Sequence, residues 1–549
     1  MIIEKIYAGI SLGFNSSACI YSTARGILAA ISQERLNGKK NTKELPLEAL
    51  KKCCIIAGIT TIDKIAISHY ELITDEYFVK YGENYHITGS DWNDAIINYL
   101  SYYDIVVKDK IIERVNHHVA HALSTLGFYK MPAKGDYLIT ADGFGDGLSA
   151  SIMPLGDNTD YTMNLEESIA LVYQFVTGAL GYKEHQHEGK ITGLAAFGKP
   201  IYLKEFESIN INDYHLTEEE QKAVEKSAII DFDKFLLLKK AVYGLVKKLL
   251  ENGAESKDIA ATVQEYAEKR IGTWIESNVE PGHNCYLAGG LFANVKINQR
   301  IKDSGLFKNV YVCPAMGDEG TAIGAAIAAG ESDVPKTISP NQCGTRVNES
   351  PWLINLRTKN YTVSRTFDDA LATKIAQLLA DNKIVCLVKG KMEFGPRALC
   401  HRSILYNCDT KETNTWLNEK LGRTEFMPFA PVCREEVADD LFKNLDGGRD
   451  SAKYMTMTFD CTDEFIQNYP AACHIDNTAR PQIVSKTEDP FIWSVLDKYQ
   501  ELTGKKALIN TSFNLHNNPI IESDEVAISS WEKSDTDVLV IENTVIEKA

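Results

Sequence analysis

The sequence predicts an α/β protein with two domains, on three observations. A strand–turn–strand pattern occurs twice, at the beginning of the chain and again near residue 140. A strand–glycine turn–helix pattern also occurs twice, between residues 284 and 329, and the composition changes at about residue 340. Strand and helix patterns alternate on both sides of that change. We therefore expect a large domain at residues 1–345 and a smaller α/β domain at residues 350–549.

Each half of the expected large domain begins with the same strand–turn–strand unit. Apolar or alternating residues indicate the strands, and small polar residues, Asp and Gly indicate the turns. The segments of the two copies are Ile6–Leu12, Gly13–Ser17, Ala18–Ser22 and Gly26–Ser32, and then Asp136–Thr140, Ala141–Gly147 and Leu148–Pro154. An internal duplication of this kind builds the actin-like and sugar-kinase-like ATP-binding folds (ASKHA). The pattern thus predicts a duplicated, actin-like N-terminal domain.

Two glycine-rich turns follow predicted strands in this domain. One follows the strand Asn284–Ala288 and the other follows Asn309–Cys313, and helical runs lead from them to Arg300 and Ala329. Such turns allow backbone N–H groups and a helix N-terminus to approach a phosphate group. The candidate nucleotide-binding residues are Gly289, Gly290, Asn294, Gly317 and Gly320.

A change in composition separates the two expected domains. Residues 330–357 are rich in Ser, Asp, Pro, Asn and Gly, and Pro335, Pro340 and Pro351 would interrupt a helix. A helical stretch at Asp368–Asp381 and a strand at Ile384–Val388 follow. These features predict a linker and then a second α/β unit.

Charge and composition favour a cytoplasmic enzyme that acts on small substrates and has no membrane partner. The 58 Lys and Arg residues against 75 Asp and Glu residues give a net charge of −17, which repels nucleic acids and other polyanions. The most continuous apolar stretch, Thr321–Ala329, is far shorter than the ~20 residues of a membrane span. Glu4 and Lys5 interrupt the apolar N-terminus, unlike in a signal peptide. The twelve cysteines lack C-x-x-C and zinc-finger spacing, as is typical of reduced thiols.

Two histidines have the spacing of metal ligands on a helix. Asn116 is a candidate N-cap, so His117 and His121 lie four residues apart on one face of the following helix. Asp142 and Asp318, in two separate turns, are candidate oxygen ligands, and such a set suits Fe, Mn, Zn or Ni. The alternative is that these are ordinary core histidines and turn or cap aspartates. His118 points about 100° away around the helix, toward a substrate or the core.

Basic residues gather in the predicted C-terminal domain. The stretch after Ile384–Val388 predicts a helix start with two arginines, which are bidentate donors for phosphate or carboxylate groups. The alternative is a solvated helix face. Candidate residues for a phosphorylated substrate are Lys389, Lys391, Arg397, Arg402, Arg480, Ser512 and Asn514.

Taken together, these stretches resemble the O-carbamoyltransferase family of antibiotic and nodulation-factor biosynthesis, typified by the tobramycin and cephamycin enzymes. The resemblance follows the chain order over nearly its whole length. Its motifs are Gln33–Leu36, Asn116–Ala122, Ala141–Gly147, Glu188–Gly198, Ala288–Asn294, Met316–Gly320, Lys391–Ile404, Pro428–Pro431, Thr478–Gln482, Asn510–Asn514 and Pro519–Ile520.

The resemblance implies a fold and a reaction. The N-terminal part is similar to the actin-like subunit that makes threonylcarbamoyl-tRNA, and the C-terminal part resembles the YrdC fold. Relatives convert carbamoyl phosphate and ATP, with Mg²⁺, into carbamoyl adenylate, and then transfer the carbamoyl group to a hydroxyl beside Fe(II) or a similar metal. By position, His117, His121, Asp142 and Asp318 match the metal ligands. Arg480 and Ser512 match residues around carbamoyl phosphate and the nucleotide.

Two positions depart from the family pattern. Many relatives have His-Asp in the first turn, where this chain has Phe14 and Asn15, so the general base implied by the family is missing. We expect Asp146 or His118 to take its place. Met427 stands where relatives often have an arginine, which removes one expected phosphate contact.

The sequence therefore predicts an ATP-dependent carbamoyltransferase, with the acceptor left open. The acceptor classes are a secondary-metabolite alcohol or sugar, and a hydroxymethylated pyrimidine in phage nucleotide or DNA. Alternative functions are an actin-like-fold kinase, a threonylcarbamoyl-tRNA-type enzyme, and a non-catalytic nucleotide or metal binder. A homodimer is the commonest assembly for such enzymes.

Overall fold

The computed structural model describes residues 4–68, 75–82, 85, 92–156, 160–227, 229–330, 337–347, 361–421 and 428–548. Their strands form two five-stranded sheets and one eight-stranded sheet, together with two small pairs. Helices alternate with the strands throughout the chain. The predicted mixed α/β class is confirmed. Met427 and most of the predicted linker lie outside the described residues.

The first sheet begins with the predicted strand–turn–strand unit. The strands of this half are β1 (Ile6–Ser11), β2 (Ser17–Ser22), β3 (Gly26–Ser32), β4 (Thr61–Ile62), β5 (Lys64–Ile67), β6 (Val106–Val107) and β7 (Glu113–Arg114). The short strands β4 and β6 form a separate parallel pair, and the other five strands form the sheet. The helices of this half are α1 (Gln33–Asn37), α2 (Leu47–Ala57), α3 (Asp75–Tyr81), α4 (Trp92–Tyr102) and α5 (His117–Ser124). All residues of β1 and β2 are buried, because the sheet is covered on both faces.

The second sheet repeats the architecture of the first. Its strands are β8 (Tyr137–Gly145), β9 (Leu148–Pro154), β10 (Tyr161–Asn164), β11 (Asn284–Ala288) and β12 (Asn309–Val312). The helices of this half are α6 (Ile169–Ala179), α7 (Glu188–Ala195), α8 (Leu203–Glu207), α9 (Glu218–Lys226), α10 (Phe232–Glu251), α11 (Ser256–Glu276), α12 (Val295–Asp303) and α13 (Thr321–Ala329). The strand β8 runs through part of the predicted turn 141–147.

The strand orders of the two sheets show the duplication directly. The orders are β3-β2-β1-β5-β7 and β10-β9-β8-β11-β12, so each sheet has an antiparallel meander followed by two parallel strands. The two halves therefore have the same topology, as the repeated sequence pattern predicts.

Helix α13 joins the two halves through very close backbone contacts. A Cβ atom built on Gly9 in β1 would lie 1.8 Å from the carbonyl oxygen of Ala322 in α13. A Cβ atom built on Gly324 in α13 would lie 1.7 Å from the carbonyl oxygen of Ala120 in α5. Only glycine leaves room for these approaches. The contacts bring the N-terminal ends of α5 and α13 together, where the candidate metal ligands lie.

The C-terminal part of the chain contains the eight-stranded sheet, in the order β13-β22-β21-β14-β15-β20-β16-β19, and the pair β17-β18. Its strands are β13 (Tyr361–Arg365), β14 (Val385–Val388), β15 (Arg402–Tyr406), β16 (Ala430–Arg434), β17 (Phe459–Asp460), β18 (Thr478–Ala479), β19 (Gln482–Val484), β20 (Ala507–Ser512), β21 (Val538–Ile541) and β22 (Thr544–Lys548). Its helices are α14 (Asp368–Ala380), α15 (Glu412–Lys420), α16 (Ala438–Leu441), α17 (Arg449–Ala452), α18 (Asp463–Asn468), α19 (Pro490–Thr503) and α20 (Asp524–Lys533).

One predicted element of this part is wrong. The basic stretch after β14 was expected to begin a helix, but residues 389–401 contain no helical segment and Arg402 begins β15. The stretch includes Gly390 and Gly395 in left-handed backbone conformations and Pro396, and these residues favour turns over a helix.

The two parts of the chain contact each other extensively. Asn298 in α12 donates from Nδ2 to the carbonyl oxygen of Thr456 at 2.7 Å, and the Val312 N–H donates to Ser451 Oγ at 2.9 Å. A Cβ atom on Gly395 would lie 2.6 Å from the carbonyl oxygen of Pro314, so the loop after β14 packs tightly on the N-terminal part. We keep the division between residues 345 and 350 as a proposed domain boundary. No helix in the described ranges is long and apolar enough to cross a membrane.

We expect Gly324→Ala to destabilise the protein, because the added methyl group must displace the α5 backbone. Overpacking of this kind costs about 1–3 kcal/mol. The matched control is Gly272→Ala in α11, where a Cβ atom would meet nothing within 4 Å; it should gain up to ~1 kcal/mol from helix propensity. Urea denaturation followed by circular dichroism compares the two. Equal midpoints for both variants would contradict the importance of this contact.

Candidate functional site

The structure brings the four predicted metal ligands into one cluster. One ligand atom each from His117, His121, Asp142 and Asp318 can be chosen so that all lie within 4.8 Å of one another. The two Nε2 atoms of the histidines are 3.1 Å apart, and Asp142 Oδ2 is 3.1 Å from His117 Nε2. Asp318 Oδ1 lies 3.4 Å from His121 Nε2. Two ligand atoms at ~2.1 Å from one ion are separated by about 3 Å, so this spacing fits a shared metal ion.

Local structure holds the two histidines on α5. The predicted N-cap is confirmed, because Asn116 Oδ1 accepts from the Val119 N–H at 3.1 Å. Asp146 Oδ2 accepts from the His117 N–H at 2.6 Å. Both rings are fully buried and lie nearly perpendicular to each other, with centroids 4.5 Å apart. The helix start therefore fixes the direction in which both Nε2 atoms point.

The two carboxylates both belong to the second half of the duplicated fold, with Asp142 in β8 and Asp318 in the turn before α13. The Gly290 N–H donates to Asp142 Oδ1 at 2.9 Å, and Gly289 adopts φ 106° where a Cβ atom would meet the carbonyl oxygen of Ala141 at 2.2 Å. The Asp318 carbonyl accepts from Ser11 Oγ at 2.7 Å, which ties this turn to β1. The glycine turns thus position the carboxylates beside the histidines.

The electrostatics of the cluster fit a bound cation. Burial would lower the pKa of His117, but its hydrogen bond with Asp142 and the nearby Asp318 outweigh this and raise the pKa to about 9. Burial would raise the pKa of Asp142, whereas its hydrogen bond to His117 and the charge of His121 lower it well below its usual range. Half-buried carboxylates beside buried imidazoles favour a positive partner, and two nitrogen and two oxygen ligands suit a divalent transition metal. The residues present therefore fit the metal that the family resemblance implies.

His118 does not serve as the base predicted from the sequence. Its Nδ1 lies 2.7 Å from Thr140 Oγ1 and its Nε2 lies 3.1 Å from the carbonyl oxygen of Leu148. The ring is 1% exposed, and burial lowers its pKa to about 3. With Nε2 donating to the carbonyl, both ring nitrogens have protein partners and neither can reach a substrate hydroxyl.

Asp146 has a structural contact in place of the predicted catalytic one. Its carboxylate receives the first N–H of α5, and its backbone is in the left-handed region at φ 53°. A carboxylate at a helix N-terminus is stabilised by the unpaired N–H groups there. This contact explains Asp146 as the residue that holds the helix bearing the histidines.

Two adjacent cavities lie in this region, one between the N- and C-terminal parts of the chain and one within the C-terminal part. The larger has a volume of about 310 Å³ and is lined by residues of both parts, among them Gly193, Gln264, Lys296 and Thr458. The smaller has a volume of about 180 Å³ and is lined by Asn510, Thr511 and Ser512 with other C-terminal residues. Arg397, Pro428, Phe429, Ala430 and Arg480 line both cavities.

Arg397 and Arg480 are half-buried cations without an anionic partner. Within the described residues, neither guanidinium group has a hydrogen bond or a carboxylate within 4 Å. Burial lowers the pKa of Arg397 to about 10, although Glu319 acts in the opposite direction. Burial and the neighbouring Arg397 lower the pKa of Arg480 well below its usual range. Two half-buried guanidinium groups close to each other repel, and an anion bound between them would offset this repulsion.

Three other predicted basic residues lie away from these cavities. Arg402 is fully buried and donates to backbone carbonyls, including those of His401 at 2.9 Å and Thr345 at 3.0 Å. Lys389 Nζ donates to Asn543 Oδ1 at 3.0 Å. The backbone carbonyl of Lys391 accepts from His401 Nδ1 at 2.6 Å, taking the ring as the donor. The predicted phosphate-binding role is wrong for Arg402, whose guanidinium group links the loop after β14 to the chain before residue 348.

The remaining candidates lie next to the cavities or the cluster. Ser512 lines the smaller cavity, and its Oγ donates to Asn514 Oδ1 at 2.6 Å. Asn514 Nδ2 donates to the carbonyl of Asn518 at 2.8 Å, so this side chain holds a turn. None of the five predicted nucleotide-binding residues lines the larger cavity, which includes residues on both sides of Asn294. Asn294 itself caps α12 by accepting from two backbone N–H groups. The N–H of Gly290 holds Asp142 in place of the predicted phosphate.

The family models match both parts of the chain. The model of the carbamoyltransferase N-terminus matches residues 6–327, and the model of the carbamoyltransferase C-terminus matches residues 376–548. The chain belongs to the carbamoyltransferase family. This carbamoyltransferase is therefore an enzyme of the family that its ordered motifs predict.

Relatives of this carbamoyltransferase include proteins from bacteria and archaea. Nodulation protein NolNO of Sinorhizobium fredii is 26% identical over 551 residues, which cover 95% of this chain and 77% of the relative. Nodulation protein U of Rhizobium tropici is 36% identical over 261 residues, or 46% of this chain and 42% of the relative. An uncharacterized protein of Methanocaldococcus jannaschii is 28% identical over 554 residues, or 98% of this chain and 99% of the relative.

Two solved structures show partial similarity to this carbamoyltransferase. Component A of (R)-2-hydroxyglutaryl-CoA dehydratase from Acidaminococcus fermentans has a TM-score of 0.33 and 12% identity, covering 59% of this chain and 97% of that chain. HypF of T. kodakarensis has a TM-score of 0.31 and 15% identity, covering 60% and 48%.

We expect His121→Gln to lower the affinity for a divalent metal by at least ~100-fold, because it removes one ligand of the cluster. Anaerobic titration with Fe²⁺ or Co²⁺, followed by metal analysis, would give about one ion per wild-type chain. The matched control is His215→Gln, because His215 is an exposed histidine outside the cluster. Circular dichroism checks that both variants are folded. One tightly bound ion in His121→Gln would contradict the proposed site.

Proposed function

We propose that this carbamoyltransferase uses ATP and carbamoyl phosphate to form carbamoyl adenylate, and then carbamoylates a hydroxyl group of an acceptor. The observation that carries the proposal is the half-buried pair Arg397 and Arg480, which lines two cavities in a chain that also has a metal-ligand cluster. The pair calls for an anionic substrate, and carbamoyl phosphate is a small anion of this kind. ATP is a second anion, and it arrives with Mg²⁺.

The activation step belongs to these two cavities. In net terms carbamoyl phosphate, water and ATP give carbamoyl adenylate, phosphate and pyrophosphate. Arg397 and Arg480 offer planar donor groups to phosphate oxygens, and Thr511 and Ser512 add hydroxyl groups in the smaller cavity. The larger cavity has an apolar wall from Ala195, Ala261 and Phe429 that fits a nucleotide base, and Lys296 supplies another cation.

The transfer step belongs to the metal-ligand cluster. His117, His121, Asp142 and Asp318 would hold a divalent metal such as Fe(II), which when bound polarises a carbonyl group or an acceptor hydroxyl. The acceptor oxygen forms a bond to the carbamoyl carbon, the bond from that carbon to the adenylate oxygen breaks, and AMP leaves. Glu319, next to Asp318, influences the pKa of Arg397. This proximity supports a short path from the anion cavity to the cluster.

A small hydroxylated molecule is the acceptor that the charge of the protein favours. The net charge of −17 opposes a long nucleic acid, although it does not oppose a nucleoside or a sugar. A hydroxymethylated pyrimidine nucleotide is a second acceptor class, and its single base is small enough to enter a pocket.

The decisive experiment measures products with each substrate omitted in turn. Pyrophosphate and phosphate should be released only when ATP and carbamoyl phosphate are both present. A panel of alcohols, sugars, nucleotides and hydroxymethylated DNA, with ¹⁴C-labelled carbamoyl phosphate, then identifies the acceptor. Turnover of ATP without carbamoyl phosphate, or a phosphorylated acceptor, would overturn the proposal in favour of a kinase. ATP binding without any turnover would favour a non-catalytic nucleotide binder.

We expect Arg480→Ala and Arg397→Ala each to reduce carbamoyl phosphate-dependent pyrophosphate release by ~100-fold or more, since hydrogen bonds to charged groups contribute about 1.5–3 kcal/mol each. The matched control is Arg25→Ala, because Arg25 lies on the surface in an ion pair with Glu4. Its rate should stay within twofold of wild type. If both cavity variants kept the wild-type rate, carbamoyl phosphate would have to bind elsewhere.

A further inference from the structure

Besides His118, another imidazole that is not among the four candidate ligands lies near the metal-ligand cluster. His185 lies in the loop between α6 and α7, and its ring stacks on that of Phe14 with centroids 4.2 Å apart. Phe14 precedes Asn15, whose Nδ2 donates to Glu319 Oε2 at 3.0 Å. Glu319 directly follows the ligand Asp318. A chain of contacts thus places the His185 ring beside the turn that carries a metal ligand.

The backbone of His185 is held in an uncommon conformation by contacts on both sides. Its φ is 62°, in the left-handed region that residues with a side chain adopt only when the surroundings hold them there. Its N–H donates to Glu188 Oε1 at 2.6 Å, and its carbonyl accepts from Asn41 Nδ2 at 3.1 Å. Backbone strain of this kind is found often at functional sites. The conformation points to a ring that must occupy one particular place.

The ring nitrogens of His185 are available to a ligand. Across the described residues, neither nitrogen has a hydrogen-bond partner, whereas both nitrogens of His118 and of His401 have one. The residue as a whole is exposed, so solvent and substrate can reach it. A histidine that is fixed in position but unused by the protein is suited to act on a bound molecule.

The charges around His185 favour its neutral form. Partial burial of the ring, which stacks on Phe14, is the largest influence and lowers the pKa of His185. Lys43, whose ammonium group lies 3.7 Å from the Phe14 ring centroid, acts in the same direction. Glu184, Asp318 and Asp142 act in the opposite direction. The net result is a pKa below the ordinary value for histidine. A neutral imidazole at pH 7 can accept a proton.

We propose that His185 accepts the proton of the acceptor hydroxyl during carbamoyl transfer, an inference that rests on the proposed function. As the acceptor oxygen bonds to the carbamoyl carbon, its proton passes to a ring nitrogen of His185 and afterwards to water. AMP leaves with the electron pair of the broken bond. The sequence predicts His118 or Asp146 for this role. His118 is buried in the core and hydrogen-bonded to Thr140, and Asp146 accepts a hydrogen bond from the first N–H of α5.

The test separates the two half-reactions in His185→Gln, with His215→Gln as the matched control. Carbamoyl phosphate-dependent exchange of pyrophosphate into ATP reports activation and should stay within twofold of wild type. Transfer is measured as AMP release with water as the probe nucleophile, and as labelled product with the acceptor that the panel identifies. It should fall by ~100-fold or more in His185→Gln, the usual contribution of a general base. Bound metal should stay at the wild-type level.

A pH profile and a rescue variant exclude a merely structural role. The wild-type transfer rate should rise with pH through the pKa of His185, below 6.5, and then level off, because only the neutral ring accepts a proton. His185→Gln should lose this rise. The double variant Phe14→His/His185→Gln puts an imidazole in the neighbouring ring position and should recover at least tenfold of the lost rate.

The outcomes distinguish this inference from the proposed function. If wild-type protein shows no carbamoyl phosphate-dependent exchange, the proposed function fails, and the proposed role of His185 fails with it. If exchange occurs and His185→Gln transfers at the wild-type rate, the role of His185 is overturned while the proposed function stands. An unchanged pH profile in the variant would overturn the role equally.

Discussion

The approach of α13 to both β1 and α5 is the constraint on which the site depends. Gly9 and Gly324 allow backbone-to-backbone contact across the two halves of the duplicated fold. As a result the N-terminal ends of α5 and α13 converge, and the partial positive charge of each helix start favours nearby carboxylates. Asp142 and Asp318 lie at this point. A larger side chain at either glycine would separate the histidines from Asp318 before any ligand residue was changed.

Two sets of unbalanced charge follow from this arrangement. Around α5 the carboxylates outnumber the positive groups, and at the boundary between the two parts of the chain Arg397 and Arg480 have no carboxylate within 4 Å. Partial burial of either set alone is costly, and under the proposed function a cation balances the first set and an anion balances the second. Glu319 lies near both sets and raises the pKa of Arg397. The two ligand sites are therefore neighbours and not independent features.

Local patterns in the sequence predict several residues of the candidate metal site. They do not predict which distant segments the fold brings together. The sequence predicts the N-cap Asn116 and the four-residue spacing of His117 and His121 directly, because both are properties of one helix turn. Asp142 and Asp318 are candidates because each lies in an Asp-bearing turn, and the family resemblance matches both to metal ligands, but no local rule brings such distant segments together.

The basic residues also show that local sequence patterns do not predict long-range placement. The sequence predicts Arg397 and Arg402 alike as candidates for binding a phosphorylated substrate. In the structure Arg402 begins a strand and donates to backbone carbonyls, whereas Arg397 lies in a loop and lines a cavity. Lys296 and Gln264 were not predicted, because a helix start and a helix face become cavity walls only after the two parts of the chain pack together. His185 gave only a weak signal, since a single histidine in a loop has no periodicity. The place of His185 near the metal-ligand cluster becomes apparent only from the stacking of its ring on the ring of Phe14.

The position of the anion cavities has a consequence for how the two parts of the chain work together. Arg397 and Arg480 belong to the C-terminal part, but helices α7, α11 and α12 of the N-terminal part form the opposite wall of the larger cavity. The ion pair between Lys296 and Asp476, at 2.9 Å, closes the boundary beside it. Under the proposed function, an anionic substrate that contacts both the arginines and the N-terminal wall of the larger cavity stabilises the packing of the two parts of the chain.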